Sequence, residues 1–151
     1  MLWLLRHADA ADGAPDEARP LTERGVRQAR AAGLALARLE VKLDVCLSSP
    51  KRRALETATL ACEPLGLELT EAPDLAGGPF DAEHLTAGYS DALLVGHDPS
   101  ITLALYDLTG AHARMPKGGL AAVNKRELIA LLRPRELSAI ASTEPAGEPI
   151  A

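Results

Sequence analysis

Two histidines and two arginines in this chain stand where apolar runs give way to polar segments. Arg6 and His7 follow the apolar run Met1–Leu5, and His97 follows Ala92–Gly96. Arg53 falls in the first turn of a helical pattern that comes after Ser48 and Ser49. These residue types suit phosphoryl chemistry. An arginine is always charged, and its planar fork matches two phosphate oxygens. An imidazole nitrogen is a competent nucleophile towards phosphorus, giving a covalent intermediate that water then hydrolyses. Two arginines and an imidazolium balance a phosphate dianion, so the reading needs no metal and no cofactor, and no carboxylate cluster offers to hold an ion.

The elements that must position these groups can be read from the same pattern. Met1–Leu5 reads as a buried strand, and the segment from Ala8 to Pro20, with its aspartates, glycine and prolines, as a loop. Thr22 is placed to cap a helix running to about Glu40. Asp44–Leu47 is a second strand, and Ser49-Pro50 reads as a cap followed by proline at the first position of a helix that ends at Pro64-Gly66. Leu67–Leu69 suggests a third strand, and a short helix is expected near Ala82–Ala87. Ala92–Gly96 is the clearest strand. Asp98-Pro99 repeats the cap-then-proline pattern before a helix closed by Gly110. Leu120–Val123 and Leu128–Leu132 read as a hairpin turning at Asn124-Lys125-Arg126. Strands alternating with helices predict an α/β fold with a mostly parallel sheet, whose ligands bind outside the carboxyl ends of the strands. Arg6, His7, Arg53 and His97 would then converge. The helix N-termini after Ser49 and Asp98 would point amides to the same place.

Composition narrows the class. The chain has 151 residues, 47% of them hydrophobic and 25% charged, with aromatics at only 3%. That is one domain with an aliphatic core, expected over residues 1–142, with a flexible tail over 143–151. A net charge of −5 argues against nucleic acid as partner. The opening apolar run is too short for a signal peptide or a membrane span. Cys46 and Cys62 make neither a metal-ligand spacing nor a disulfide framework, so a cytoplasmic protein is expected.

Four ordered motifs carry a resemblance. Leu5-Arg6-His7-Ala8-Asp9-Ala10 resembles the Arg-His-Gly signature of the histidine phosphatase superfamily, which includes the phosphoglycerate mutases. Arg19-Pro20-Leu21-Thr22-Glu23-Arg24-Gly25 is similar to the loop-to-helix segment of its small bacterial members. Ser49-Pro50-Lys51-Arg52-Arg53-Ala54-Leu55-Glu56-Thr57-Ala58 is similar to its Ser-Pro-x-x-Arg-Ala-x-x-Thr helix. Val95-Gly96-His97-Asp98-Pro99 matches the segment carrying its second histidine. The compact length resembles the SixA-type phosphohistidine phosphatases. The resemblance implies a single-domain, three-layer α/β/α sandwich of the phosphoglycerate mutase-like kind. It makes His7 the nucleophile, with Arg6, Arg53 and His97 stabilising the phosphoryl group and Arg19 at the pocket rim. It also implies a metal-independent phosphatase acting on phosphohistidine in a protein. Ala8 departs from the pattern, where glycine is usual, and implies a backbone there without a positive φ. The mutases supply a general acid in mid-chain; Asp74–Asp81 offers no clear equivalent. A phosphohistidine substrate does not need one, because its imidazole leaves with a conjugate acid of pKa ~6.5.

Other readings stand beside this one. The interval from Cys46 to Arg52 fits the cysteine–arginine spacing of tyrosine phosphatases, yet Pro50 lacks the N–H such a loop needs and Cys46 sits in an apolar run. A phosphatase of small phosphorylated metabolites and an inactive phosphate- or phosphopeptide-binding module share the motifs. His84 and His112 lie outside any motif and are expected at the surface, as are Lys51 and Arg52. Asp9 reads as a turn residue.

Overall fold

The computed structural model describes residues 1–143. In it six strands form one sheet: β1 (Leu2–Arg6), β2 (Val45–Ser48), β3 (Leu69–Glu71), β4 (Ala92–Gly96), β5 (Leu120–Asn124) and β6 (Glu127–Leu132). Their spatial order is β3-β2-β4-β1-β5-β6. The pairs β3·β2, β2·β4 and β4·β1 are parallel, whereas β5 runs antiparallel to both β1 and β6. The sheet is thus mixed and mostly parallel, as predicted.

Side chains alternate along each central strand, and each face is buried under helices. Trp3, Leu5, Cys46, Leu93 and Val95 point to one side. There they meet Ala32, Ala35 and Leu36 of α1 (Glu23–Arg38), Ala54, Ala58 and Ala61 of α2 (Arg52–Cys62), and Leu137 of α5 (Pro134–Ala141). Leu4, Val45, Leu47 and Leu94 point to the other side. They pack against Ala82 of the short α3 (Ala82–Leu85) and Ile101, Leu105 and Leu108 of α4 (Ser100–Thr109). Burial on both faces explains why these strands read as continuous apolar runs rather than alternating ones. The alanines have a purpose in the first layer. A Cβ on Gly33 would run into the backbone carbonyl of Ala61, so α1 and α2 cross with backbones nearly touching.

Several boundaries fall as the sequence indicates. Thr22 caps α1 by accepting from the Gly25 amide at 3.0 Å. Gly66 and Gly110 close their helices with φ of 63° and 75°, left-handed values that glycine adopts freely. Other boundaries shift. Ser49 does not cap α2: its amide bonds the Val95 carbonyl at 2.9 Å and so extends the sheet, and the helix starts at Arg52. Likewise α4 starts at Ser100, one residue after Pro99. Leu67 still bonds back to the Cys62 carbonyl, which delays β3 to Leu69. The helix α5 was not expected from the Ala- and Ser-rich composition after Pro134. The expected tail, apart from Thr143, lies outside the described residues. No helix among the described residues is long and apolar enough to cross a membrane.

Candidate active site

The carboxyl ends of β1, β2 and β4 are locked in register, with Arg6 opposite Gly96 and Ser48 opposite Val95. The pairing continues one step beyond β1, where the His7 amide donates to the Gly96 carbonyl at 2.9 Å. His7 and His97 are therefore neighbours by register, with ring centroids 5.1 Å apart. Arg53, the second residue of α2, turns its side chain into the same region and is 94% buried with 6% exposed. Arg6 reaches it from the end of β1, anchored by Nη1 donating to the Met115 carbonyl at 2.8 Å.

All four predicted residues thus gather at one place, and three of them bury polar atoms there without a protein partner. Arg6 Nε, Arg53 Nε and His97 Nδ1 are buried and unbonded among the described residues; apart from Trp3 Nε1 on β1, no other buried side-chain polar atom is. Buried donors are normally paired, so a cluster of unpaired ones on arginine and histidine suits an anion. No group of three His, Cys, Asp or Glu side chains among the described residues is arranged to hold a metal ion.

The two histidines differ in their second nitrogens. His7 Nδ1 lies 2.8 Å from the Ala8 carbonyl oxygen. A carbonyl only accepts, so Nδ1 carries the proton and Nε2 keeps its lone pair. Burial, opposed in part by that bond to Ala8 and reinforced by Arg53, Arg6 and Lys117, lowers the His7 pKa to about 4. Burial outweighs the neighbouring positive charge. His97 Nε2 lies 2.7 Å from Ser49 Oγ, and that oxygen also accepts from the Lys51 amide at 3.2 Å. The serine proton has no other acceptor among the described bonds, so it goes to Nε2 and leaves the hydrogen of the ring on Nδ1. Burial, then His7 and Arg53, lower the His97 pKa to about 3.

Three further residues support the cluster. Ser49, read from the sequence as a helix cap, is one. Thr57 is another: its hydroxyl donates to the Arg53 carbonyl at 2.7 Å and accepts from the Ala8 amide at 3.0 Å, tying α2 to the loop after β1. Asp16 is the third. Its backbone carbonyl and carboxylate accept from Arg53 at 2.8 and 3.2 Å, and the same carboxylate meets Arg19 at 3.1 Å and Lys51 at 3.4 Å. Bonds from Arg19 and Arg53 hold its carboxyl at about 2. Arg19 therefore stands one carboxylate away from Arg53, and its Nε braces the loop through the Ala11 carbonyl. A capping pattern or a strand leaves a mark in sequence; a loop carboxylate reaching back from residue 16 to residue 53 leaves none.

The remaining candidates fall away. Ala8 is fully buried beside Leu21 and Ala29 and has no positive φ, so glycine is not required there. Cys46 points into the core under α2, where Cys62 and burial push its thiol up, and Arg52 pairs with Glu56 at the surface. The cysteine–arginine loop is not formed. Lys51, expected on a solvated face, instead engages Asp16. His84 and His112 are exposed, the latter against Tyr106. Asp9 is a turn residue, accepting from the Thr22 hydroxyl at 2.7 Å. In mid-chain Asp74 is exposed, Asp81 caps α3 and Glu83 pairs with Arg126, so none of them bonds to the four clustered residues.

A three-layer sandwich with its polar cluster outside the strand ends is the phosphoglycerate mutase-like form of the α/β fold. The chain belongs to the histidine phosphatase superfamily (branch 1), whose model matches residues 2–81. A chain from Agrobacterium tumefaciens assigned as the phosphohistidine phosphatase SixA is 27% identical, with a TM-score of 0.77 over 88% of this chain and 97% of that one. The protein histidine phosphatase SixA complexed with tungstate is 23% identical with the same TM-score of 0.77, over 90% of this chain and 98% of that one, and shares the fold. The mitochondrial serine/threonine-protein phosphatase Pgam5 of Drosophila persimilis is 38% identical over 74 residues. That match spans 48% of this chain but only 26% of Pgam5.

Proposed function

We propose that the protein hydrolyses phosphohistidine on a partner protein, without a metal, through a phosphorylated His7. The observation that carries this is the convergence of His7 with Arg6, Arg53 and His97, three of which keep buried, unpaired nitrogens. His7 is neutral at pH 7 and presents the Nε2 lone pair. Attack forms the Nε2–P bond as the bond from phosphorus to the leaving group breaks. Arg6 and Arg53 take up charge on the phosphoryl oxygens, as donors aimed where charge develops. His97, expected from the sequence as an imidazolium, is instead held neutral by burial and contributes Nδ1–H as a donor oriented by Ser49. The Nδ1–H bond to Ala8 supports the positive charge that develops on the His7 ring. Water then attacks phosphorus, the Nε2–P bond breaks, and phosphate departs with His7 restored. None of Asp74, Asp81 and Glu83 bonds to the cluster, and a phosphohistidine leaving group, protonated beforehand on its other nitrogen, departs as neutral imidazole without a general acid. This favours phosphohistidine over the serine and threonine esters named for Pgam5. Two buried, unbridged thiols suit the reducing cytoplasm.

Rapid alkaline quenching with a labelled phosphohistidine protein tests the assignment. Label is expected on His7, turnover is expected to survive EDTA, and His7→Ala is expected to fold and bind phosphate yet form no intermediate. Label on serine or cysteine, or substantial turnover by His7→Ala, would falsify it.

A further inference from the structure

A second cavity, of about 390 Å³, lies beside the site and is lined by four cations: Arg24 from α1, Lys117 from the loop before β5, and Arg133 and Arg135 from the junction of β6 and α5. Asp9 is the lone carboxylate in its lining. It is tied to the Thr22 hydroxyl and faces Lys117 at 3.8 Å. Arg133 is engaged by Glu136, whereas Arg24 and Arg135 make no ion pair among the described residues. In a chain of net charge −5 this is a local inversion of sign. A larger cavity, of about 560 Å³ on the α3–α4 side, has the opposite character, with Asp81, Glu83 and Asp107 against Arg126.

The basic cavity shares a wall with the catalytic cluster. The Gly118 amide bonds the His7 carbonyl at 3.0 Å, and its neighbour Lys117 lines the cavity and is near enough to lower the His7 pKa. Gly118 has φ of 79°, and a Cβ there would press on Gln28 and Pro134 at 3.2 Å, so the loop is wedged between α1 and α5. This adjacency puts the cavity within reach of a polypeptide whose phosphorylated side chain occupies the cluster.

We propose that the cavity formed by Arg24, Lys117, Arg133 and Arg135 docks acidic side chains flanking the phosphohistidine of a protein substrate. The proposal rests on the phosphohistidine reading above and adds to it the charge of the partner. Four cations drawn from three elements around an open cavity match carboxylates spread along a chain, and charge complementarity of this kind sets encounter rate and partner choice.

The test compares wild type with Arg24→Glu/Arg135→Glu on a phosphohistidine peptide flanked by Asp and Glu, the same peptide with neutral flanks, and phosphoramidate. At low salt the wild type is expected to favour the acidic peptide by about tenfold in kcat/KM, mainly through KM, and to lose that preference as salt screens it. The double variant is expected to lose the preference while turning over phosphoramidate as before. Equal loss on all three substrates, or no loss on the acidic one, overturns the docking site. Binding of the unphosphorylated acidic peptide, followed by titration, reads the cavity independently of catalysis. Binding that survives charge reversal, or is displaced by pyrophosphate at far lower concentration than by peptide, rejects the protein partner. Failure of the wild type on every P–N substrate with peptide binding intact would instead reject the phosphohistidine reading.

Discussion

At the scale of residues, the site works through contrast between two similar groups. Both histidines are kept neutral by burial, yet one exposes a lone pair and the other an N–H, because a carbonyl faces the first and a hydroxyl the second. Arg6, His7 and His97 were legible in the sequence because they stand where apolar runs end. Ser49 was misread as a cap because a serine before proline satisfies the same local pattern whether its oxygen faces the helix amides or a histidine 48 residues away. Ser49→Ala is expected to lower kcat by about tenfold, the size of one uncharged hydrogen bond. It removes a donor to the neutral ring, so the His97 pKa should rise from about 3, visible as an upward shift in its NMR titration. Ser49→Thr keeps the hydroxyl and should restore both. An unmoved titration in Ser49→Ala would show that the serine only fills space.

At the scale of elements, the fold rests on small side chains in α1 and α2. Alanine at i, i+3 and i+4 was readable as a buried stripe, but only the crossing shows that Gly33 has no room for a methyl group. Gly33→Ala gains helix propensity, roughly 1 kcal/mol, and loses about 1–3 kcal/mol to overpacking. A net fall in the urea midpoint is expected, and a rise would mean that the helices can part without cost. The helix α5 shows the reverse case. Its Pro134 in the first turn and the paired Arg133 and Glu136 form a capping pattern that was present in the sequence. Composition outweighed it, because a single fully buried side chain, Leu137, supplies much of the reason for the helix to form.

At the scale of the whole molecule, the buried histidines link stability to acid. The unfolded chain returns His7 and His97 to ~6.5, while the folded chain holds them at about 4 and about 3. Between those values the unfolded state binds protons that the folded state does not, so falling pH favours unfolding. Stability should be full above pH 6.5 and decline as the pH falls towards 4 and then 3. Asp16, depressed to about 2, adds a further loss below its unfolded value. Urea midpoints at pH 7.5, 5.5 and 4.5 should fall in that order, and less so in His7→Asn/His97→Asn; a flat profile in the wild type would contradict the burial argument. The order in which the chain is made adds a last consequence. The strand β1, which carries Arg6 and delivers His7, is synthesised before the other five strands, yet its neighbours are β4 and β5, where Leu5 pairs with Val95 and Leu120. Pairing across such sequence distances is slow. This apolar strand must wait unpaired until β4 and β5 have been made, and the site it serves is assembled only after His97 has joined it.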